Sequence, residues 1–109
     1  MTDKIVVLST CGSVEEAEKL ARTMLERRLA ACVSVVPKVT SYYHWQGNLE
    51  TAQEYLLIVK SSRQQFPSLR GALEKAHSYE VPEVIALQVV DGSPDYLSWL
   101  AGELGKAGE

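Results

Sequence analysis

The sequence predicts an α+β sandwich in which an antiparallel sheet carries its two main helices on one face, with an extra helix at the C-terminal end. Three observations predict it. Apolar runs and amphipathic stretches alternate in the order strand, helix, strand, strand, helix, strand, helix. The two middle strands read as one long hairpin, Cys32 to Ser61, reversing at Trp45-Gln46-Gly47-Asn48. Its second arm, Leu49 to Ser61, peaks in five consecutive apolar residues, Tyr55-Leu56-Leu57-Ile58-Val59, the pattern of a central strand covered on both faces.

Ile5-Val6-Val7-Leu8 is an unbroken apolar run leading into Ser9-Thr10-Cys11-Gly12, a buried strand followed by a turn. Ser13 and Glu16 have the S-x-x-E spacing of a capping box, and Glu15 adds negative charge at the positive end of the helix dipole. Ala17, Leu20, Ala21, Met24 and Leu25 then form an apolar stripe at helical spacing. This helix is expected to stop near Leu29. The first hairpin arm, Cys32 to His44, is rich in β-branched and aromatic residues, which fit a pleated surface, while Gly47 and Asn48 tolerate the positive φ of a reversal.

Beyond the hairpin, Ser62 and Gln65 repeat the capping-box spacing, and Phe66, Leu69, Leu73 and Ala76 give a second helical stripe. Pro67 leaves two starts open: a helix beginning at Pro67, where the missing N–H costs nothing, or an earlier start whose first turn gives up a hydrogen bond. Val84 to Val90 is the last strand, entered through Pro82. Asp91-Gly92-Ser93-Pro94 is a turn, after which Ser93 caps a third helix with Pro94 first and Leu97, Leu100 and Leu104 on its buried side. The tail, Gly105 to Glu109, is expected to fray.

The βαββαβ order points to a ferredoxin-like sandwich with a long central hairpin. Arms of about a dozen residues at ~3.3 Å each span roughly 40 Å, against a radius of gyration near ~13 Å for a compact chain of this size. The tip therefore reaches beyond its own domain, and Tyr42, Tyr43 and Trp45 would leave aromatic surface in water unless another chain covered them. The second sheet face also lacks cover, since one short terminal helix is too small for it. Both features predict self-association, with the hairpin as an oligomerisation arm.

With 109 residues, 46% of them apolar, the chain has room for a single domain, 1–109, around one core. A net charge of −3 and scattered basic residues argue against a nucleic-acid partner. No run approaches the ~20 apolar residues that span a bilayer, and the chain passes directly from Met1-Thr2-Asp3-Lys4 into strand, so no membrane partner and a cytoplasmic location are expected. Cys11 and Cys32 are too few for a disulfide framework and are expected as thiols, Cys32 in the core.

Candidate chemistry falls in three places. The turn Thr10-Cys11-Gly12-Ser13 sets backbone N–H groups and a thiol at a helix N-terminus, but it lacks P-loop spacing, and Cys11 reads either as a nucleophile or as a small buried apolar residue. His77-Ser78-Tyr79-Glu80-Val81-Pro82-Glu83 gathers an imidazole, a phenol and two carboxylates on one connection. The plainer reading of that segment is a helix-capping histidine, an anchoring tyrosine and solvated glutamates. Lys60, after four apolar residues, either emerges into water or pairs with Glu80 or Glu83 to line a polar pocket. His44, near the arm tip, reads as exposed.

Several stretches together resemble the divalent-cation tolerance protein (CutA) family: Leu29-Ala30-Ala31-Cys32-Val33-Ser34-Val35-Val36-Pro37, Thr40 to Gly47 with Trp45-Gln46-Gly47, Val59-Lys60-Ser61, and Ala76 to Leu87 with His77-Ser78-Tyr79-Glu80-Val81-Pro82-Glu83. The resemblance implies a tightly packed homotrimer, similar in architecture to PII signalling proteins, with clefts between subunits and a link to copper and other divalent ions. No catalysed reaction is established for that family. At the metal site proposed for the family, Ser9 stands here in the cysteine position, Ala76 in that of the first histidine and Ser78 in that of a proline.

The expected metal ligands are therefore His77, with Cys11 in place of the missing cysteine. They would bind copper weakly and with pH dependence, recruiting Glu80, Glu83 or a neighbouring subunit. Lys60, Tyr79, Glu80 and Glu83 are the expected cleft residues, and Tyr42, Tyr43 and Trp45 the expected interface. The leading function is a non-enzymatic trimer in metal homeostasis or signalling. Its alternatives are a small hydrolase or transferase using the Cys11 turn or the Lys60, His77 and Glu80 group, and a scaffold for protein partners.

Overall fold

Residues 1–105 are described by a computed structural model of the chain; the expected fraying falls largely on positions 106–109, outside the described residues. The elements follow the predicted order: β1 (Lys4–Cys11), α1 (Val14–Glu26), β2 (Cys32–Trp45), β3 (Asn48–Ser62), α2 (Phe66–Ala76), β4 (Ile85–Gln88) and α3 (Pro94–Glu103). The strands form one sheet in the order β2-β3-β1-β4, antiparallel at each junction.

Strand alternation sorts the sheet into two unlike faces. Val7, Leu57 and Val59 are fully buried in one cluster with Leu20 and Met24 of α1 and Leu69 and Leu73 of α2, so both main helices cover the same face. Burying each such side chain stabilises the fold by about 1.5–3 kcal/mol. The opposite face carries Leu8 in register with both Ile58 and Ile85. There Ile85 and Leu87 are half exposed and Leu56 and Ile58 only partly covered. The apolar run of β3 thus marks a central strand, but the helices of the chain cover only one side of it.

β2 and β3 stay paired from Cys32↔Lys60 to Trp45↔Asn48, and the molecule is 44 Å long for a radius of gyration of 14.3 Å. β1 pairs with β3 only as far as Cys11↔Tyr55. From Glu54 outward the hairpin therefore projects as a two-stranded ribbon. The register shifts between Val36 and Val39, where Lys38 has φ 59°; Pro37, which has no N–H to donate, accounts for the bulge. At the tip the left-handed residues are Gln46 (φ 51°) and Gly47 (φ 84°), not Gly47 and Asn48. Two central residues with positive φ match the right-handed twist of the flanking strands.

Helix ends also differ from the pattern. α1 stops at Glu26 because Arg28 turns left-handed (φ 58°), with Arg28 N–H donating to the Leu25 carbonyl and Leu29 N–H to that of Met24. This is a Schellman closure made without glycine. α2 begins at Phe66 with Pro67 in its first turn, where no intrahelical donor is lost. Gln65 N–H reaches Ser62 Oγ at 3.4 Å, but the Gln65 amide turns away to the Gly105 carbonyl. β4 is shorter than Val84 to Val90 and has only β1 as a neighbour, although Val89 N–H still donates to the Lys4 carbonyl and the Val89 carbonyl accepts Thr2 N–H. In α3 only Leu100 is buried, and the Ser93 side chain makes no capping bond. Cys32 is not core: it lies in register with Lys60, whose Nζ is 3.8 Å from its sulfur.

Candidate functional site

The end of β1, the start of α1 and the end of α2 meet at one edge of the sandwich, and the connection from His77 to Val84 crosses it. His77 caps α2, its N–H donating to the Leu73 carbonyl at 2.9 Å. Its fully buried ring donates from Nε2 to the Thr10 carbonyl at 2.7 Å and accepts the Tyr79 N–H at Nδ1 at 3.0 Å. Both ring nitrogens are thereby used, and the bonds assign the Nε2–H tautomer.

Glu16 does not complete the capping box from its side. The Ser13 hydroxyl accepts the Glu16 N–H at 3.1 Å, but the Glu16 carboxylate accepts Ser78 N–H at 2.8 Å and Ser78 Oγ–H at 2.9 Å. Burial alone would raise the Glu16 pKa, but the Ser78 hydrogen bonds, with the Gly12 N–H, outweigh it and hold the carboxyl below its ordinary value.

Tyr79 is oriented by that loop. Its hydroxyl donates to Glu54 Oε2 at 2.7 Å, and its ring lies 4.7 Å from that of His77, centroid to centroid. Burial, then the Glu54 hydrogen bond and charge, push the phenol pKa well above its ordinary value, so Tyr79 is a donor and not a base. Glu54 is 6% exposed, although it is the first β3 residue beyond the last β1 pairing.

Glu54, Thr10 and Tyr79 floor a cleft of about 740 Å³. Tyr42, Tyr43 and Trp45 of the hairpin form one wall, and Glu80, Val81 and Glu83 form the other side. Of the expected cleft residues, Tyr79, Glu80 and Glu83 are thus present, joined by the aromatic residues assigned to the interface. Lys60 is absent from it. At ~3.3 Å per strand residue Lys60 lies roughly 20 Å from Glu54 along β3, and its Nζ donates to Ser34 Oγ at 3.1 Å, not to Glu80 or Glu83. Glu54 is not marked by the sequence, while Thr10 reads there only as part of the turn and Glu16 only as a capping residue. Glu16 carried a capping signal that masked its second use, and nothing around Glu54 in the sequence distinguishes it from a solvated strand glutamate.

The metal-ligand expectation does not fit this arrangement. His77 has no free ring nitrogen, and Cys11 is wholly buried in the core with its thiol 3.5 Å from the Ser13 carbonyl. Burial chiefly raises the Cys11 pKa, which disfavours the thiolate that a metal or an electrophile needs. Among the described residues no three His, Cys, Asp or Glu side chains group around a common point. The same facts separate the groups named for a hydrolase: Cys11 is not activated, His77 is committed to the backbone, and Lys60 is remote from Glu80.

The sandwich with a projecting hairpin and a cleft at its root defines a class of small α+β domain, and comparison with known proteins gives the family. The sequence pattern of the CutA1 divalent ion tolerance protein family matches residues 5–103. The divalent-cation tolerance protein CutA of Thermus thermophilus is 45% identical over 100 residues, 92% of this chain and 97% of that one. Human Protein CutA is 42% identical over 91 residues, and there the chain spans about half (51%) of the relative. The T. thermophilus Cut A1 structure superposes with a TM-score of 0.91 at 44% identity, covering 94% of this chain and 99% of that one. CutA from Xylella fastidiosa gives 0.93 at 38% identity, covering 95% and 100%. The chain belongs to the CutA1 divalent ion tolerance family. Among the described residues no helix is long and apolar enough to cross a membrane.

Proposed function

We propose that this chain works in divalent-cation tolerance as a non-catalytic, cytoplasmic homotrimer of ferredoxin-like, PII-like subunits, and that the cleft at the root of the hairpin takes up the ion or small ligand to which it responds. The observation that carries this reading is the Glu54–Tyr79 pair. A carboxylate 6% exposed is held at the floor of a 740 Å³ cleft by a phenol on the connection between α2 and β4. The core does not require either group there, and buried polar groups are costly unless they are satisfied. The T. thermophilus relative is named for tolerance and not for a reaction.

Assembly is supported by the second sheet face, where Ile85 and Leu87 are half exposed beside Leu8 and Ile58, and by the exposed aromatic arm. A chain of this size leaves such surface in water at the risk of aggregation unless a second copy covers it. An ion entering the cleft, copper included, would meet the carboxylates of Glu54, Glu80 and Glu83 rather than His77 and Cys11, which are buried or committed elsewhere. Few protein ligands make a weak site.

Native mass spectrometry with metal analysis tests both parts. Three copies of the 12.0-kDa chain are expected, together with uptake of ion or ligand that falls on Glu54→Gln or Tyr79→Phe substitution. A monomer at micromolar concentration, or uptake indifferent to both substitutions, overturns the reading.

A further inference from the structure

The root of the hairpin carries two discontinuities at one level. β1 stops pairing with β3 at Cys11↔Tyr55. Directly across from Tyr55, β2 places Pro37 and Lys38 between the pairs Val36↔Leu56 and Val39↔Glu54. Pro37 has no N–H to give the ladder, and Lys38 holds φ 59°, which an L-residue adopts at a cost. A bulge bends its strand and interrupts pairing. Residues 39–45 and 48–54 therefore lie beyond a break in the ladder on one strand and the loss of a neighbour on the other, the arrangement of a hinge.

One bond spans that break. Among the described residues, the hydrogen bond from the Tyr79 hydroxyl to Glu54 Oε2, 2.7 Å, is the one that reaches the hairpin beyond the bulge from another part of the chain. It meets the first β3 residue past the last β1 pair. Its other end is fixed to the sandwich. Tyr79 N–H donates to His77 Nδ1, whose ring is held by the Thr10 carbonyl, and the preceding Ser78 gives both its N–H and its hydroxyl to Glu16 of α1. The phenol also runs close over the end of β1, since a Cβ on Gly12 would stand 3.5 Å from its oxygen.

We propose that Tyr79 is a strut that sets the angle of the hairpin arm at the Pro37–Lys38 bulge, so that the connection between α2 and β4 and the arm move as one. The bond lies within one chain, and a second copy covering the arm would receive it at the angle the bond sets. From Glu54 to Asn48 the arm runs about 20 Å. A pivot of about 10° at its root would carry the tip by roughly 3–4 Å, a shift of the size that repacks subunit interfaces. The strut stands whether or not the cleft takes a ligand.

Residual dipolar couplings of the backbone amides report the direction of the arm relative to the sandwich, and they are measured on the full chain in its solution assembly. In the parent, residues 39–45 and 48–54 should share one alignment tensor with β1 and α1. In Tyr79→Phe the arm should need an orientation of its own, turned by about 10° or more, or show couplings scaled down by motion, while β1 and α1 keep theirs. Glu54→Ala, which removes the acceptor, should turn the arm likewise. Glu54→Gln keeps an oxygen acceptor and loses the charge, and should leave the arm in place. An arm that holds its parent orientation in Tyr79→Phe overturns the inference. So does an arm that turns as far in Glu54→Gln as in Tyr79→Phe, because charge and not the hydrogen bond would then set the angle. Couplings of β1 and α1 that change in Tyr79→Phe as much as those of the arm also overturn it, because the phenol would then be holding the sandwich. Should Glu54→Ala fail to fold, Tyr79→Phe and Glu54→Gln decide between these outcomes.

Discussion

The Tyr79 hydroxyl donates to Glu54 Oε2 at 2.7 Å, tying the connection between α2 and β4 to β3 at the residue where the hairpin loses β1 as a neighbour. Tyr79→Phe keeps the ring but leaves the buried carboxylate without that donor. A loss of about 1–3 kcal/mol in denaturant-unfolding stability is expected. No change would show that the Glu54 carboxylate does not depend on that donor.

The same bond predicts alkaline behaviour. The folded-state pKa of Tyr79 is raised above its unfolded value. Its contribution to stability is therefore fully present below about pH 10, the unfolded value, and is lost as pH rises from there toward the folded pKa. Ultraviolet titration should find one of the five tyrosines ionising late. That late component should vanish in Tyr79→Phe.

Acid acts through Glu16, whose folded-state pKa lies below its ordinary value. Its contribution is present above the unfolded value, about 4.3, and decays as pH falls through the folded pKa. Glu16→Gln should flatten the stability profile below about pH 5. Amide exchange at Ser78 should quicken as well, because its N–H bonds to this carboxylate. An unchanged profile would remove Glu16 as the acid-sensitive group.

Arg28 closes α1 at φ 58°, a conformation that costs an L-residue about 1–2 kcal/mol. Its contacts with Glu103 are exposed and weak. Arg28→Gly should therefore stabilise the fold by about 1 kcal/mol, read as a shift in the denaturant midpoint at constant m-value. Destabilisation would assign the Glu103 contact a larger share than exposed ion pairs usually hold.

Trp45 lies near the end of the projecting ribbon and is 42% exposed. If the proposed trimer buries it, Trp45→Ala should weaken assembly by on the order of 2 kcal/mol or more. Dilution followed by light scattering would show dissociation at higher concentration than in the parent. Equal dissociation curves would place Trp45 outside the interface.

Copper distinguishes the expected ligands from the observed arrangement. His77→Gln retains an amide able to donate to the Thr10 carbonyl, and Cu²⁺ affinity by calorimetry should change less than twofold. A tenfold loss would return His77 to the ligand set despite its two backbone bonds.

Local chemistry in the sequence determined the seven elements, the position of the reversal and the central place of β3. Apolar periodicity, capping residues and turn residues act over a few positions and can be read there. It also determined which residues would be polar in the connection from His77 to Glu83, and which aromatic residues would ride on the arm. Tertiary structure decided what those residues do. His77 was spent on the Thr10 carbonyl and the Tyr79 N–H, Glu16 on Ser78, and Tyr79 on Glu54, across 67, 62 and 25 positions of chain respectively. Lys60, which reads as a pocket residue, went to Ser34 because the β2–β3 register carries it away from the cleft along the strand. Such assignments depend on register and on the packing of α1 and α2 over one face. These bring distant polar groups within 3 Å, and each buried group must be satisfied by whichever partner the fold supplies.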